Sequence, residues 1–169
     1  MDGMTFFIGP LIAFAATVLL IMLLRPLAGR IGLVDVPNQR SSHAQPTPLI
    51  GGLAIFCGIV IAYAIPLALR IVPWNSQIAS FFVACAMLVV VGVIDDRVDL
   101  SAKVRFGAQI AAALVMIYGG RVLLEDLGGM TPSGALLNLG VLAVPFTVFA
   151  TLGVINALNM CDGLDGLSG

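Results

Sequence analysis

Residues 78–94 read IASFFVACAMLVVVGVI and run directly into Asp95-Asp96-Arg97-Val98-Asp99. No charge interrupts the run, and three carboxylates and a guanidinium follow within five positions. A helix needs about 20 apolar residues, within a range of about 17–25, to cross the hydrocarbon core of a bilayer. The run has that length and lacks the period-two alternation of a barrel strand. It predicts a membrane-spanning helix that ends in a charged cluster.

Four further apolar stretches flank it: Phe6–Leu24, Leu49–Leu69, Phe106–Gly120 and Ala135 to about Asn156. The Phe106–Gly120 stretch is short, which predicts a tilted or partly interfacial helix, or one that uses Lys103 and Arg105 as snorkelling anchors. Composition agrees with a membrane chain. Of the 169 residues, 60% are hydrophobic and 10% charged, against about 25% charged in an ordinary soluble domain. The expected fold is therefore all-α, a polytopic bundle with about five spans in a single integral-membrane domain over residues 1–169. The flank Met1–Thr5 carries an acid and no base, and the positive charges come after the first stretch, at Arg25 and Arg30. That polarity is wrong for a secretory signal and predicts a true first span with its N-terminus outside.

Five spans make two faces. One holds Arg25, Arg30, Arg40, Arg97, Lys103 and Arg105; the other holds Arg70 and Arg121. Six bases against two assign the first face to the cytoplasm. A net charge of −1 gives no field suited to nucleic acid. Cys57, Cys85 and Cys161 form no CxxC pair, and with the lone His43 they make no zinc site. Cys57 and Cys85 are read as small apolar packing residues.

The acids concentrate on the face rich in bases. Asp35, Asp95, Asp96, Asp99, Asp162 and Asp165 fall there, against Asp2, Glu125 and Asp126 on the other. Three clusters result. The first is Gly32-Leu33-Val34-Asp35-Val36-Pro37-Asn38-Gln39-Arg40-Ser41-Ser42-His43. Its Asp-Val-Pro-Asn portion is turn chemistry. The segment reads either as a plain polar loop or as one in which Arg40 and His43 meet an anion. In the second, Ile94 to Arg105, Asp95 and Asp99 would share a helix face at i, i+4. Adjacent carboxylates become tolerable beside a divalent cation, a proton or a cationic side chain, and oxygen donors of this kind suit Mg²⁺ together with substrate phosphates. A solvated loop with internal ion pairs is the plainer reading. In the third, Asn156, Asn159, Asp162 and Asp165 recur every third residue and wind slowly round one side of a helix. Gly163 and Gly166 would let a ligand approach backbone. Polar groups entering the end of an apolar span are costly unless they line a wet site.

Together the three clusters resemble the signature motifs of the polyprenyl-phosphate N-acetylhexosamine-1-phosphate transferases, glycosyltransferase family 4. The matching elements are Gly-Leu-Val-Asp-x-Pro-Asn-x-Arg-x-x-His, Asp-Asp-Arg-x-Asp and Asn-Ala-x-Asn-Met-x-Asp-Gly-x-Asp-Gly, in that order. The Asp-Asp-Arg-x-Asp form is more similar to the undecaprenyl-phosphate N-acetylglucosamine-1-phosphate transferases than to the phospho-N-acetylmuramoyl-pentapeptide transferases of peptidoglycan synthesis, which stand as the alternative. Family members have more spans than this chain supplies. The resemblance therefore implies the N-terminal portion of a longer transferase, inactive as an isolated fragment.

What the resemblance implies is an enzyme of the bacterial cytoplasmic (inner) membrane, multi-pass, with its active face cytoplasmic. It would transfer N-acetylglucosamine-1-phosphate from a UDP-sugar to undecaprenyl phosphate, release UMP and start cell-envelope polysaccharide synthesis. Asp95, Asp96 and Asp162 would be catalytic, the first two at the lipid phosphate and Asp162 orienting the site. Asn159 would bind Mg²⁺, with Mn²⁺ as the alternative metal. Asp99, Asn156 and Asp165 would lie near the nucleotide, and Lys103, Arg105, Arg40 and His43 would contact phosphate. A homodimer is compatible with this reading. The rival classes are a cation-coupled transporter and an inactive assembly fragment. A transporter would more often place a carboxylate at mid-membrane, and none of the first four stretches contains one.

Overall fold

The computed structural model describes residues 3–35, 46–129 and 136–161. Among them are five α-helices: α1 (Gly3–Leu24), α2 (Gly51–Ala68), α3 (Ser76–Val98), α4 (Ala102–Tyr118) and α5 (Ala143–Cys161). Each corresponds to one apolar stretch of the sequence, and the chain is an all-α polytopic membrane protein. Four segments are long and apolar enough to cross a membrane: Ile8–Leu27, Gly51–Ala68, Ser76–Val98 and Gly140–Met160. The 17-residue α4 spans only about 25 Å at about 1.5 Å per residue, as the short fourth stretch predicts, and takes Lys103 and Arg105 into its first turns. Large apolar side chains such as Leu11, Phe14, Phe149 and Val141 are exposed. That pattern is inverted for water and natural in lipid, where the solvent is as apolar as the side chains.

The chain divides into two compact units, residues 1–75 with 85–101, and residues 76–84 with 102–169. In the first, α1 packs on α2. Close approach is set by Gly58, which is buried. A Cβ there would collide with Thr17 Oγ1 and stand 3.0 Å from Ala13 O. Beyond α1 the chain turns through a short 3-10 segment, Arg25–Leu27. It then enters an antiparallel pair of two-residue strands, β1 (Val34–Asp35) and β2 (Thr47–Pro48), with Val34 opposite Pro48. Ala28, Leu33 and Ile50 form a buried cluster beneath this connection, and Leu24, Val34, Leu49 and Val93 pack against it. Leu33 N–H donates to Ala28 O, and Leu49 N–H donates to Leu33 O. Because Val93 belongs to α3, this cluster also holds in place the end of α3 that bears Asp95 and Asp96.

In the second unit α4 packs on α5. The segment before α5 departs from expectation. Leu136 to Leu139 fall in the predicted run but lie outside the helix, and Leu139, with φ −82° and ψ −22°, caps a short 3-10 turn, Gly140–Leu142. Asp126 pairs with Asn138 in an antiparallel bridge, and Leu139 N–H donates to Glu125 O. Buried Thr147 ties this hairpin to α5, accepting from Leu124 N–H and donating to Ala143 O. Gly119, at the end of α4, has no room for a Cβ beside Ser80 Oγ.

Gly58→Ala is predicted to destabilise the detergent-solubilised protein by about 1–3 kcal/mol through overpacking, and adding Thr17→Ala recovers part of the loss. Thermal unfolding of the single and double variants checks this.

Candidate functional site

In the first unit, α3 carries Asp95 and Asp96 in its last turn and ends at Val98. Asp95 is half-buried; Asp96 and Asp99 are exposed. Asp99 lies outside the helix with φ +48°, a left-handed conformation that Asp tolerates better than most residues. The expected i, i+4 face shared by Asp95 and Asp99 is therefore not formed. The chain instead stops α3 by a local hydrogen-bond exchange. Asp99 N–H donates to Asp95 O at 2.9 Å, and Leu100 N–H donates to Asp95 Oδ1 at 2.8 Å. Asp95 thus serves the fold as well as any ligand, since one carboxylate oxygen accepts the backbone N–H of Leu100, just past the left-handed Asp99.

In the second unit, Lys103 is exposed and Arg105 half-buried at the start of α4, and no acid occurs in that first turn. At the far end of α5, Asn156 is half-buried and Asn159 exposed. Asn156 Nδ2 donates to Gln109 Oε1 and to Leu152 O, both at 2.8 Å. Gln109 has no place in the three sequence motifs. Its only sequence signal is a lone amide inside the apolar run after Arg105. Arg40, His43, Asp162 and Asp165 lie outside the described residues.

The charges run against the helix dipoles. A helix carries roughly half a positive charge at its N-terminus and half a negative one at its C-terminus. α3 places two carboxylates at its negative end, and α4 places two cations at its positive end. Those carboxylates and bases do not help their own helices, whereas Arg97 in the last turn of α3 has the favourable sign. Carboxylates at a C-terminus favour a nearby cation, and bases at an N-terminus favour an anion such as phosphate. The donors are hard oxygens, of the kind that Mg²⁺ takes together with water and substrate phosphate. Among the described residues no group of three or more His, Cys, Asp or Glu forms a closed metal cage.

Comparison with known proteins identifies the family. The model of Glycosyl transferase family 4 matches residues 78–169. The chain is 39% identical over 157 residues to the undecaprenyl-phosphate alpha-N-acetylglucosaminyl 1-phosphate transferase of Escherichia coli (strain K12), covering 92% of this chain and 41% of that relative. Its counterpart from Yersinia pestis is 39% identical over 148 residues, with 86% and 38% covered. The decaprenyl-phosphate N-acetylglucosaminephosphotransferase of Mycobacterium tuberculosis (strain ATCC 25618 / H37Rv) is 37% identical over 151 residues, with 85% and 37% covered. The chain therefore spans about two fifths of the length of the curated relatives it matches. No solved structure matches it. The family match takes in α3, α4 and α5 almost whole, with every acid, base and amide placed above, and on that ground the chain belongs to glycosyl transferase family 4.

Proposed function

We propose that this chain is the N-terminal part of a transferase that moves N-acetylglucosamine-1-phosphate from its UDP-sugar onto undecaprenyl phosphate at the cytoplasmic face of the bacterial inner membrane. The observation that carries the proposal is the placement of charge at two helix ends, carboxylates in the last turn of α3 and bases in the first turns of α4, within a chain of the glycosyl transferase family. The names of the relatives supply the lipid phosphate and the amino sugar.

In the reaction a phosphate oxygen of the lipid attacks the phosphorus that bears the sugar. A P–O bond forms, the bond to the other phosphate breaks, and UMP leaves with its electron pair. Both reactants are anions, so the task of the protein is to align them and offset their repulsion. Lys103 and Arg105 bind phosphate oxygens, with Arg40 and His43 as further contacts. Asp95 and Asp96 act at the lipid phosphate, and Asp162 orients the site. Asp99, Asn156 and Asp165 serve the nucleotide. Asn159, an exposed oxygen donor, fits Mg²⁺ in kind. When bound, the ion would neutralise diphosphate charge and stabilise the leaving group. The attacking phosphate is already ionised near neutral pH, so a general base is of small importance. The product would be the lipid-linked pyrophosphoryl sugar that begins a cell-envelope polysaccharide.

UMP release by membranes carrying the complete reading frame that contains this chain tests the proposal. Release is expected only when undecaprenyl phosphate, Mg²⁺ and UDP-N-acetylglucosamine are all present. Silence from inserted protein with every UDP-sugar tried would favour the transporter or assembly reading.

The double duty of Asp95 yields a separate expectation. Asp95→Asn keeps an oxygen for Leu100 N–H and should retain thermal stability while turnover falls by orders of magnitude. Asp95→Ala should lose turnover and about 1 kcal/mol of stability as well. Asp96→Asn should lose turnover alone. Near-normal turnover in either Asn variant would remove that residue from the mechanism.

A further inference from the structure

Gln109 is the single polar side chain in α4 between Arg105 and Tyr118. A buried or half-buried amide in a membrane helix needs a partner, and its partner is Asn156 on α5. The chemistry of the link fixes both amides. Leu152 O can only accept, so Asn156 must turn its Nδ2 toward it. The same Nδ2 meets Gln109, which must then present Oε1. An Asn side chain has two N–H donors and one carbonyl, and both donors are now used. Asn156 has only Oδ1 left for a ligand. It can accept from an O–H or N–H group or offer a lone pair to a cation, but it cannot donate to a phosphate oxygen.

We propose that Gln109 is a positioning residue that locks the Asn156 amide so that its Oδ1 receives a hydrogen-bond donor of the nucleotide sugar. This rests on the transferase reading above. It assigns a role to a residue outside the three motifs and separates Asn156 from the phosphate contacts, Lys103 and Arg105. Small buried neighbours one turn along, Ala112 and Ala113 at 3% exposure each, are the kind of residue that lets helices approach closely enough for such a link. The competing view is that the amide pair simply glues α4 to α5. Glue would alter stability and both substrates alike, whereas positioning would alter the nucleotide sugar alone.

The test uses the purified, complete protein and compares wild type with Gln109→Met, Gln109→Glu, Asn156→Ala and the Gln109→Met/Asn156→Ala double variant. The KM for UDP-N-acetylglucosamine, the KM for undecaprenyl phosphate and the melting temperature are measured for each. Gln109→Met, which matches the shape but lacks the acceptor, should raise the KM for the UDP-sugar about tenfold and leave the KM for the lipid unchanged. Gln109→Glu restores the acceptor and should recover most of the loss. With Asn156→Ala already present, Gln109→Met should add nothing to the UDP-sugar KM, the signature of two residues acting as one. A wild-type UDP-sugar KM in Gln109→Met would overturn the proposal. So would a rise in both KM values alongside a fall in melting temperature, or an undiminished Gln109→Met effect in the Asn156→Ala background. A wild-type protein without UMP release refutes the transferase reading itself and the pair with it.

Discussion

Hydrocarbon offers a polypeptide no hydrogen bonds, so every polar group within it must find a partner in the protein. The rest of the structure follows from that constraint. Backbone groups are satisfied inside long helices, and the charged side chains gather at helix ends. Three polar side chains within α5 bond back onto their own helix. Thr147 Oγ1 donates to Ala143 O, Thr151 Oγ1 to Thr147 O, and Asn156 Nδ2 to Leu152 O, each four residues back. Asn156 also reaches Gln109 across to α4.

Helix ends concentrate chemistry, but they also impose a cost. α2 and α4 end in the ordinary way, with Arg70 and Arg121 in left-handed conformations (φ +57° and +54°), where a cation suits the negative helix terminus. α3 has the same left-handed stop but puts Asp99 there, with Asp95 and Asp96 in the turn before it. Asp95 offsets part of the cost by accepting Leu100 N–H. Arg97, in the same turn, adds a cation of the sign that the helix terminus favours. Local consistency breaks where function is expected to begin.

Much of this was legible in the sequence. Long apolar runs bounded by charges located all five helices, because a bilayer leaves few alternatives for such runs. Their limits were harder to read. Leu136, Leu137 and Leu139 extended the last run toward Ala135, yet Leu137, Asn138 and Leu139 bond to residues 125–128 ahead of the helix, since apolarity alone does not fix where a helix begins. The shared face of Asp95 and Asp99 failed because a helix stop depends on a single backbone dihedral at Asp99, which residue spacing does not report. The short pair of Val34–Asp35 with Thr47–Pro48 was invisible for the same reason, as two residues carry no period. Gln109 was missed because one amide in an apolar run forms no motif. Its meaning appears only when Asn156 is seen beside it. Asp95, Asp96, Lys103, Arg105, Asn156 and Asn159 all fall at helix ends, where the sequence placed them.

A cytoplasmic site built from helix ends requires α4 to cross the membrane, although the helix is short, because it separates the charged end of α3 from the hairpin before α5 in the chain. Single cysteines at Ser101 and Glu125, in a background with Cys57, Cys85 and Cys161 changed to Ala, would test it with a membrane-impermeant thiol reagent. Ser101→Cys should label only in inverted vesicles and Glu125→Cys only in intact spheroplasts. Labelling of both from the same side would place α4 along the surface and contradict a catalytic face built from helix ends on the cytoplasmic side.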